Sequence, residues 1–230
     1  MIRTLMLLLC FTVVFSFSSF ADDTVTKVEK IDPAERWEAT IKKFEKQDVE
    51  TAPKKGEILF AGSSSIRMWD EAASFPDRVI LNRGFGGSQI SDVLYYLDRV
   101  VLKYEPRVIV FYCGDNDINN KKSPQRVFND YKVFTQKVHA KLPETDIIFL
   151  PIKPSLSRWS LWPEMSEANQ KIRQLSEADK RLHYCDTVPA MLNEQGTPLE
   201  NVFLKDGLHM NAEGYAIWDE LLEKMLKQLD

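Results

Sequence analysis

The chain has 230 residues, of which 44% are hydrophobic and 28% are charged, and its formal net charge at pH 7 is −4. This composition is typical of an ordinary globular protein with one substantial core, and it excludes a collagen-like, coiled-coil or disordered chain. Basic residues form no stripe along the acidic sequence, which argues against nucleic acid as a partner.

The first residues predict a signal peptide. Arg3 supplies a positive charge, residues 5–17 form a nearly unbroken apolar run, and Ser19 and Ala21 occupy the two positions that a signal peptidase reads. The run is shorter than the roughly 20 apolar residues of a membrane span, although an uncleaved anchor stays an alternative. We expect cleavage after Ala21 and a periplasmic or secreted protein with no stable membrane span.

A linker and a helix precede the main domain. Residues 22–32 are polar, and residues 33–49 predict a helix in which Trp37, Ile41 and Phe44 form an apolar stripe. Because this stripe must be covered, we expect the helix to dock on the main domain. Residues 22–56 are therefore assigned to a linker and docking helix, and residues 57–230 to one domain.

The main domain alternates between apolar strands and helices. Strands are predicted before Gly62 and at residues 79–81, 107–113, 146–152 and 182–185, with helices at residues 91–104, after Pro124, at 164–178 and after Asn211. Buried strands separated by helices predict a parallel sheet covered on both faces. We predict a three-layer α/β/α fold, a flavodoxin-like, doubly wound sheet of five parallel strands. Cys113 and Cys185 fall in apolar strands; export would permit a disulfide, but we favour unpaired thiols.

Three serines at positions 63–65 follow the first strand at Gly62. Open parallel sheets place their ligands at this carboxyl edge. A serine hydroxyl there could be a nucleophile, but it needs a base, usually a histidine that a carboxylate orients.

His209 is the candidate base. His139 lies among charged residues of a predicted helix, so we expect it to be solvated, and His183 lies in or beside the fifth strand, where we expect a structural role. Asp206 precedes His209 by three residues and could accept its Nδ1 proton. Taken alone, this spacing is more typical of a surface turn.

Acyl transfer also needs donors to a developing oxyanion. Gly87, which follows Gly86 after the second strand, could offer a backbone N–H. Asn116, which follows the third strand, could offer its side-chain amide. A tight turn and a helix cap explain these residues equally well when each is taken singly. Together, at successive strand ends, they favour a catalytic site.

In this order, the motifs resemble the four blocks of the SGNH or GDSL-type hydrolases, which carry a serine, a glycine, an asparagine and a terminal Asp-x-x-His. The resemblance covers residues 57–230, and the Trp37 helix and the segment from Lys153 to Trp159 are similar to a bacterial, exported subgroup. The blocks here are residues 62–65, 82–87, 114–117 and 206–209.

The resemblance implies the SGNH hydrolase fold and a role for each motif residue. Ser64 would be the nucleophile, His209 the base and then the acid, and Asp206 the residue that orients it. The oxyanion would be bound by the N–H groups of Ser64 and Gly87 and by the Asn116 amide. The family motif has aspartate where this chain has Ser63 and leucine at position 65, which leaves some ambiguity among the three serines. No metal or organic cofactor is implied.

Several basic and aromatic residues lie on or after the strand ends. We hypothesise that they form a pocket rim suited to acetylated sugars or anionic acyl esters, although packing or solvation explains each one equally well. The candidates are Arg67, Arg83, Lys153, Arg158 and Trp159, with Trp69, Phe85 and Trp162 nearby in sequence.

The sequence thus predicts an exported serine esterase for small-molecule, carbohydrate or lipid esters, and it favours short acyl or acetyl groups. The alternatives are a lysophospholipase- or thioesterase-type hydrolase, an acyltransferase, and a non-catalytic glycan-binding domain. The sequence leaves the oligomeric state and the natural substrate open.

Overall fold

The computed structural model describes residues 33–230. The predicted signal peptide and the linker at residues 22–32 lie outside this part of the chain. Among the described residues, none of the helices combines the length and the apolar character that a membrane span requires.

Five parallel strands form one sheet, in the order β2-β1-β3-β4-β5. The strand order steps outward in both directions from β1, so the predicted doubly wound, five-stranded sheet is confirmed. The strands are β1 (Ile58–Gly62), β2 (Ile80–Gly84), β3 (Val108–Tyr112), β4 (Asp146–Phe149) and β5 (Leu182–Tyr184).

Helices cover the sheet, and the connections between strands run through them. The α-helices are α1 (Glu38–Glu50), α2 (Ser64–Arg67), α3 (Glu71–Ser74), α4 (Ile90–Tyr95), α5 (Leu97–Val100), α6 (Asp115–Asn119), α7 (Pro124–Lys141), α8 (Trp162–Ala178) and α9 (Ala212–Leu229). Short 3-10 segments include Pro33–Trp37, Leu102–Tyr104 and Trp159–Leu161.

The central strands are apolar on both faces because both faces are covered. In β3, Ile109 and Phe111 point to a core that includes residues of α1, α4, α5, α7 and α8. Val108, Val110 and Tyr112 point to a second core, which includes Trp218 of α9. This alternation buries every residue of β1 and β3.

Some boundaries differ from the sequence prediction. The helix predicted at residues 91–104 is three short helical pieces, interrupted at Tyr96 and Val101. The second strand continues to Gly84 instead of ending at position 81, and the fourth strand ends at Phe149 instead of at position 152. One long helix and a series of short helical pieces show the same spacing of apolar residues. The spacing therefore does not show where a helix is interrupted.

The segment before β1 packs on the first core, as its apolar stripe predicts. Ile41 is fully buried, and the Trp37 ring meets Phe85 edge-on with centroids 5.7 Å apart. Arg83 on β2 forms an ion pair with Asp48 of α1. The segment thereby closes one side of the sheet near the carboxyl end of β2.

Both described cysteines, Cys113 and Cys185, are free and buried. His183 and His139, the two histidines that the sequence does not favour as a base, each contact an acceptor group. His183 lies 2.6 Å from Asp146, while His139 is half-buried, with Nε2 3.0 Å from the carbonyl of Thr145, rather than solvated.

Candidate active site

A sharp turn connects β1 to the serines. Gly62 has φ of +136°, and a Cβ at this position would lie 1.9 Å from the carbonyl oxygen of Tyr112 on β3. A residue with a side chain is therefore excluded here. The Ser63 N–H donates to the same carbonyl at 3.0 Å, and α2 begins at Ser64. Because the first N–H groups of a helix have no intrahelical acceptor, the turn leaves donors near the Ser64 hydroxyl.

The structure distinguishes the three consecutive serines. Ser63 is fully buried, and its hydroxyl has no hydrogen-bond partner within residues 33–230. Ser65 is also buried, and its Oγ accepts from Lys153 Nζ at 3.2 Å. The Ser64 Oγ instead lies 3.0 Å from His209 Nε2. Ser64 is thus the serine of the three that is placed beside a base.

Asp206 orients the imidazole from the other side. Its Oδ2 lies 2.6 Å from His209 Nδ1, while its Oδ1 accepts from the backbone N–H groups of Leu208 and His209, each at 2.9 Å. The hydrogen bond from the His209 side chain, followed by those from the two backbone groups, lowers the pKa of Asp206 to about 2. The carboxylate is therefore charged at neutral pH, and its side chain is 48% exposed.

Asn116 is held at the first turn of α6, close to the end of β3. Its Nδ2 donates to the carbonyl of Ser88 at 3.1 Å, and its Oδ1 accepts from Arg158 at 3.1 Å. Arg158 in turn lies 3.0 Å from Asp115, whose Oδ1 accepts from the Asn116 N–H. These contacts fix the amide, and an amide nitrogen carries a second N–H that can be offered to a ligand.

Ser64, Asn116 and His209 share one open pocket with a volume of about 510 Å³. Gly87 also lines it, with a φ of +78°. The remaining lining residues are Trp37, Thr40, Arg67, Gly86, Arg158 and Leu208.

The five predicted substrate-binding residues separate into two groups. Arg67 and Arg158 line the pocket. Arg83 does not, because it is a strand residue whose side chain binds Asp48 and Tyr104 under α1.

Lys153 and Trp159 are likewise absent from the pocket wall. The Lys153 side chain is only 1% exposed, lies 3.1 Å from the Tyr112 hydroxyl, and has its pKa lowered by burial. The ring of Trp159 stacks on Trp162, with centroids 5.7 Å apart.

Sequence reasoning missed several pocket residues. The sequence predicts Trp37 as part of an apolar docking stripe, and in the structure its ring edge would also lie 3.4 Å from a Cβ at Gly87. Thr40, one turn further on, and Leu208, between Asp206 and His209, also line the pocket. Leu208 could have been found from its place inside the terminal motif, but no sequence signal brings α1 to this edge.

Within residues 33–230, His, Cys, Asp and Glu side chains form no group of three or more that could hold a metal ion.

Ser64, His209 and Asp206 thus meet at the carboxyl edge of a doubly wound parallel sheet, the edge at which such sheets bind their ligands. Residues 67–217 match the model of the GDSL-like Lipase/Acylhydrolase family. The chain therefore belongs to this family. No curated protein sequence matches the chain.

Solved structures with 14–18% identity share the fold. A GDSL-like lipase from Bacteroides thetaiotaomicron is 17% identical with a TM-score of 0.72, over 83% of this chain and 98% of that one. A carbohydrate esterase family 3 protein from Talaromyces cellulolyticus is 18% identical with a TM-score of 0.60, over 76% and 97%. A variant of an acetyl-xylooligosaccharide esterase from Geobacillus Stearmophilus is 14% identical with a TM-score of 0.60, over 74% and 94%.

Proposed function

We propose that the protein is an exported serine esterase that hydrolyses carboxylic esters with short acyl groups, acetyl among them. The continuous contact from Asp206 through His209 to Ser64 inside an open pocket carries this proposal. Family membership supports acylhydrolase chemistry. The apolar N-terminal run and its small residues at positions 19 and 21 support export, as in the bacterial subgroup that the sequence resembles.

In the first half-reaction, the Ser64 Oγ attacks the acyl carbonyl carbon while His209 Nε2 takes the hydroxyl proton. The carbonyl electron pair moves to oxygen, where the N–H groups of Ser64 and Gly87 and the Asn116 amide would bind the oxyanion. The C–O bond to the alcohol then breaks, and His209 gives its proton to the leaving oxygen. The acyl group remains on Ser64.

In the second half-reaction, His209 takes a proton from water, and the resulting hydroxide attacks the acyl-enzyme. Collapse of the second tetrahedral intermediate breaks the bond to Ser64, whose oxygen recovers the proton from His209. The products are an alcohol and a carboxylic acid, and no external oxidant or reductant is required.

The wall of the pocket favours substrates with a small acyl group. Trp37 stands against Gly87, so a long chain passing the proposed oxyanion site would meet the indole ring. Two proteins of similar fold are named as an acetyl-xylooligosaccharide esterase and a carbohydrate esterase, which makes acetylated sugars reasonable substrates to test.

The decisive experiment compares hydrolysis of p-nitrophenyl esters from acetate to palmitate by the wild type and by Ser64→Ala. We expect acetate and butyrate to be preferred, and kcat to fall by about 10⁶-fold in the variant, which removes the nucleophile. Ser63→Ala is the matched control, because it removes a buried neighbouring hydroxyl that His209 does not contact. Full activity in Ser64→Ala would overturn the assignment.

The other candidate functions give different results in the same assay. A preference for long acyl chains would favour a lysophospholipase-type enzyme, and a preference for thioesters a thioesterase. Acylated product formed with an added sugar acceptor would favour an acyltransferase. A folded wild type that is inert on every ester would favour a glycan-binding domain.

Export is tested separately. Mass spectrometry of the protein expressed with its complete N-terminus should find a mature chain that begins at Asp22 in the periplasm or medium. An intact N-terminus in the membrane fraction would favour an uncleaved anchor.

A further inference from the structure

We propose that the substrate carries an anionic oxygen group, a carboxylate or a phosphate, and that Arg67 binds this group beside the reacting ester. The inference rests on the proposed esterase function and adds the chemical class of its substrate. Its basis is the contrast between Arg67 and Arg158, the two cations that line the pocket.

Arg67 is close to the candidate nucleophile and open to solvent. It is the last residue of α2, three positions after Ser64, and it is exposed and lines the pocket. Within residues 33–230, its guanidinium has no carboxylate partner. By contrast, other arginines around the fold, such as Arg83 and Arg99, are paired with acidic side chains. The positive charge of Arg67 is therefore available to a ligand.

The absence of a side chain at Gly86 leaves room for the Arg67 guanidinium. A Cβ at Gly86 would lie 2.7 Å from Arg67 Nε and 3.4 Å from its Cζ. The guanidinium thus lies directly over the backbone of the segment that carries Gly87. This contact places the guanidinium along the wall of the pocket that Gly86 and Gly87 form.

Arg158 has a different role because its guanidinium already contacts Asp115 and Asn116. Its guanidinium lies 3.0 Å from Asp115 and donates to Asn116 Oδ1, and its side chain is 13% exposed. Arg158 therefore orients the Asn116 amide. The Asp115 carboxylate, which also lies 3.9 Å from Lys153 Nζ, engages this guanidinium inside the protein, whereas Arg67 has no such partner within residues 33–230.

The acidic groups within residues 33–230 do not line the pocket beside Arg67. The lining residues include neither aspartate nor glutamate, although the chain as a whole carries a net charge of −4. Asp206 of the candidate site is engaged by His209 and two backbone N–H groups. Arg67 is therefore a pocket-lining cation without a carboxylate partner within residues 33–230.

An unpaired guanidinium matches an anionic oxygen group. Its planar donors bind carboxylate and phosphate in a bidentate manner, and it is less strongly hydrated than an ammonium group. A neutral acetylated sugar makes no use of this charge. The pocket therefore fits an ester that carries the anion on its alcohol or acyl part.

The test uses pairs of acetate esters that differ in charge. 4-Acetoxybenzoate is compared with its neutral methyl ester, and 4-acetoxyphenyl phosphate with neutral 4-acetoxyanisole. We expect the wild type to hydrolyse the anionic member with a kcat/KM about ten- to hundredfold higher, as a charge-assisted bidentate contact allows. The larger ratio identifies carboxylate or phosphate as the better ligand, and high salt should reduce both ratios.

Three variants connect this preference to Arg67. Arg67→Gln should bring the ratio of anionic to neutral kcat/KM close to one, and Arg67→Lys should retain part of it. Gly86→Ala should also lower the ratio, because its methyl group displaces the guanidinium while the backbone accepts alanine. Arg107→Gln removes the same charge before β3, at the opposite edge of the sheet, and should keep the wild-type ratio.

The outcomes separate this inference from the esterase proposal. A wild type that requires Ser64 but shows no anionic preference, or keeps it in Arg67→Gln, overturns the inference and leaves the esterase standing. A protein inert toward charged and neutral esters alike, or one indifferent to Ser64→Ala, overturns both.

Discussion

Asp206, in the candidate active site, is a half-exposed carboxylate with a lowered pKa. Folding lowers its pKa to about 2, from an ordinary value of 3.8, through the His209 hydrogen bond and two backbone N–H groups. A carboxyl group with a lowered pKa contributes stability above its ordinary pKa, and this contribution is lost as the pH falls through about 2. Asp206 is therefore charged throughout the range from pH 4 to pH 8, and an acid limb of activity within that range must come from another group.

Replacement of Asp206 by asparagine should lower kcat by about 10²- to 10⁴-fold at pH 7, because a neutral amide does not stabilise the imidazolium and can donate to Nδ1, which favours the wrong tautomer. Steady-state kinetics on p-nitrophenyl acetate measures the loss. Asp179→Asn is the matched control, since the pKa of Asp179 is also lowered to about 2, but by Arg181, at the opposite edge of the sheet. Equal losses in the two variants would show that the effect is not specific to the His209 contact.

At the scale of secondary-structure elements, α9 and the loop before it place His209. Asn211 accepts from the Gly214 N–H at 3.1 Å as the N-cap of α9, and its Nδ2 donates to the Asn201 carbonyl at 2.6 Å. The Tyr215 hydroxyl donates to the Ser65 carbonyl at 2.8 Å. The first residues of α9 thus connect the loop that carries His209 to the turn at Ser63–Ser65.

Asn211→Ala should therefore reduce both stability and activity. Loss of the cap should cost about 1 kcal/mol, which lowers Tm by roughly 2–4 °C in a protein of this size. Ser123→Ala removes the N-cap of α7, which accepts from Arg126 N–H at 3.2 Å and lies outside the pocket. Differential scanning calorimetry should give similar shifts for both variants, whereas kcat should fall in Asn211→Ala alone. A normal kcat in Asn211→Ala would mean that the cap does not position His209.

The elements also show what the sequence could predict. The strands are predictable because apolar runs end at turn residues such as Gly62 and Gly114, and the order of the motifs predicts that Ser64, Asn116 and His209 meet at one edge. The apolar run of the second strand ends at Leu81, so the sequence places Arg83 after the strand. In the structure it is a strand residue, and its side chain leaves the sheet toward α1. Periodicity identifies a strand but does not show where pairing stops.

Tertiary contacts set the remaining features. The Lys153 side chain lies beneath the serine turn because Ser65, Tyr112 and Asp115 provide polar partners there. A lysine after a strand is otherwise typical of an exposed surface. Likewise, Trp37 reaches the pocket only because α1 packs on the first core, which is a contact between distant parts of the chain.

For the whole described fold, the attachment of α1 determines whether the pocket is complete. Two sets of ion pairs hold this helix. Arg99 binds Glu38 and Glu45 where all three side chains are about one-third exposed, and such pairs contribute little. Asp48 is only 13% exposed and binds Arg83 and the Tyr104 hydroxyl. The buried pair should therefore dominate the polar contribution, since removal of one partner leaves the other desolvated.

Asp48→Ala should cost about 3 kcal/mol of unfolding free energy because Arg83 stays buried without its carboxylate. Urea denaturation measures this loss, and Asp98→Ala, at an exposed position on α5, should leave the midpoint nearly unchanged. Since α1 carries Thr40 and follows Trp37, KM for p-nitrophenyl acetate should also rise in Asp48→Ala at temperatures where the protein is folded. An unchanged midpoint would mean that the apolar contacts of Ile41 hold α1 without the ion pair. A lowered midpoint with an unchanged KM would instead mean that the helix stabilises the sheet but does not shape the pocket.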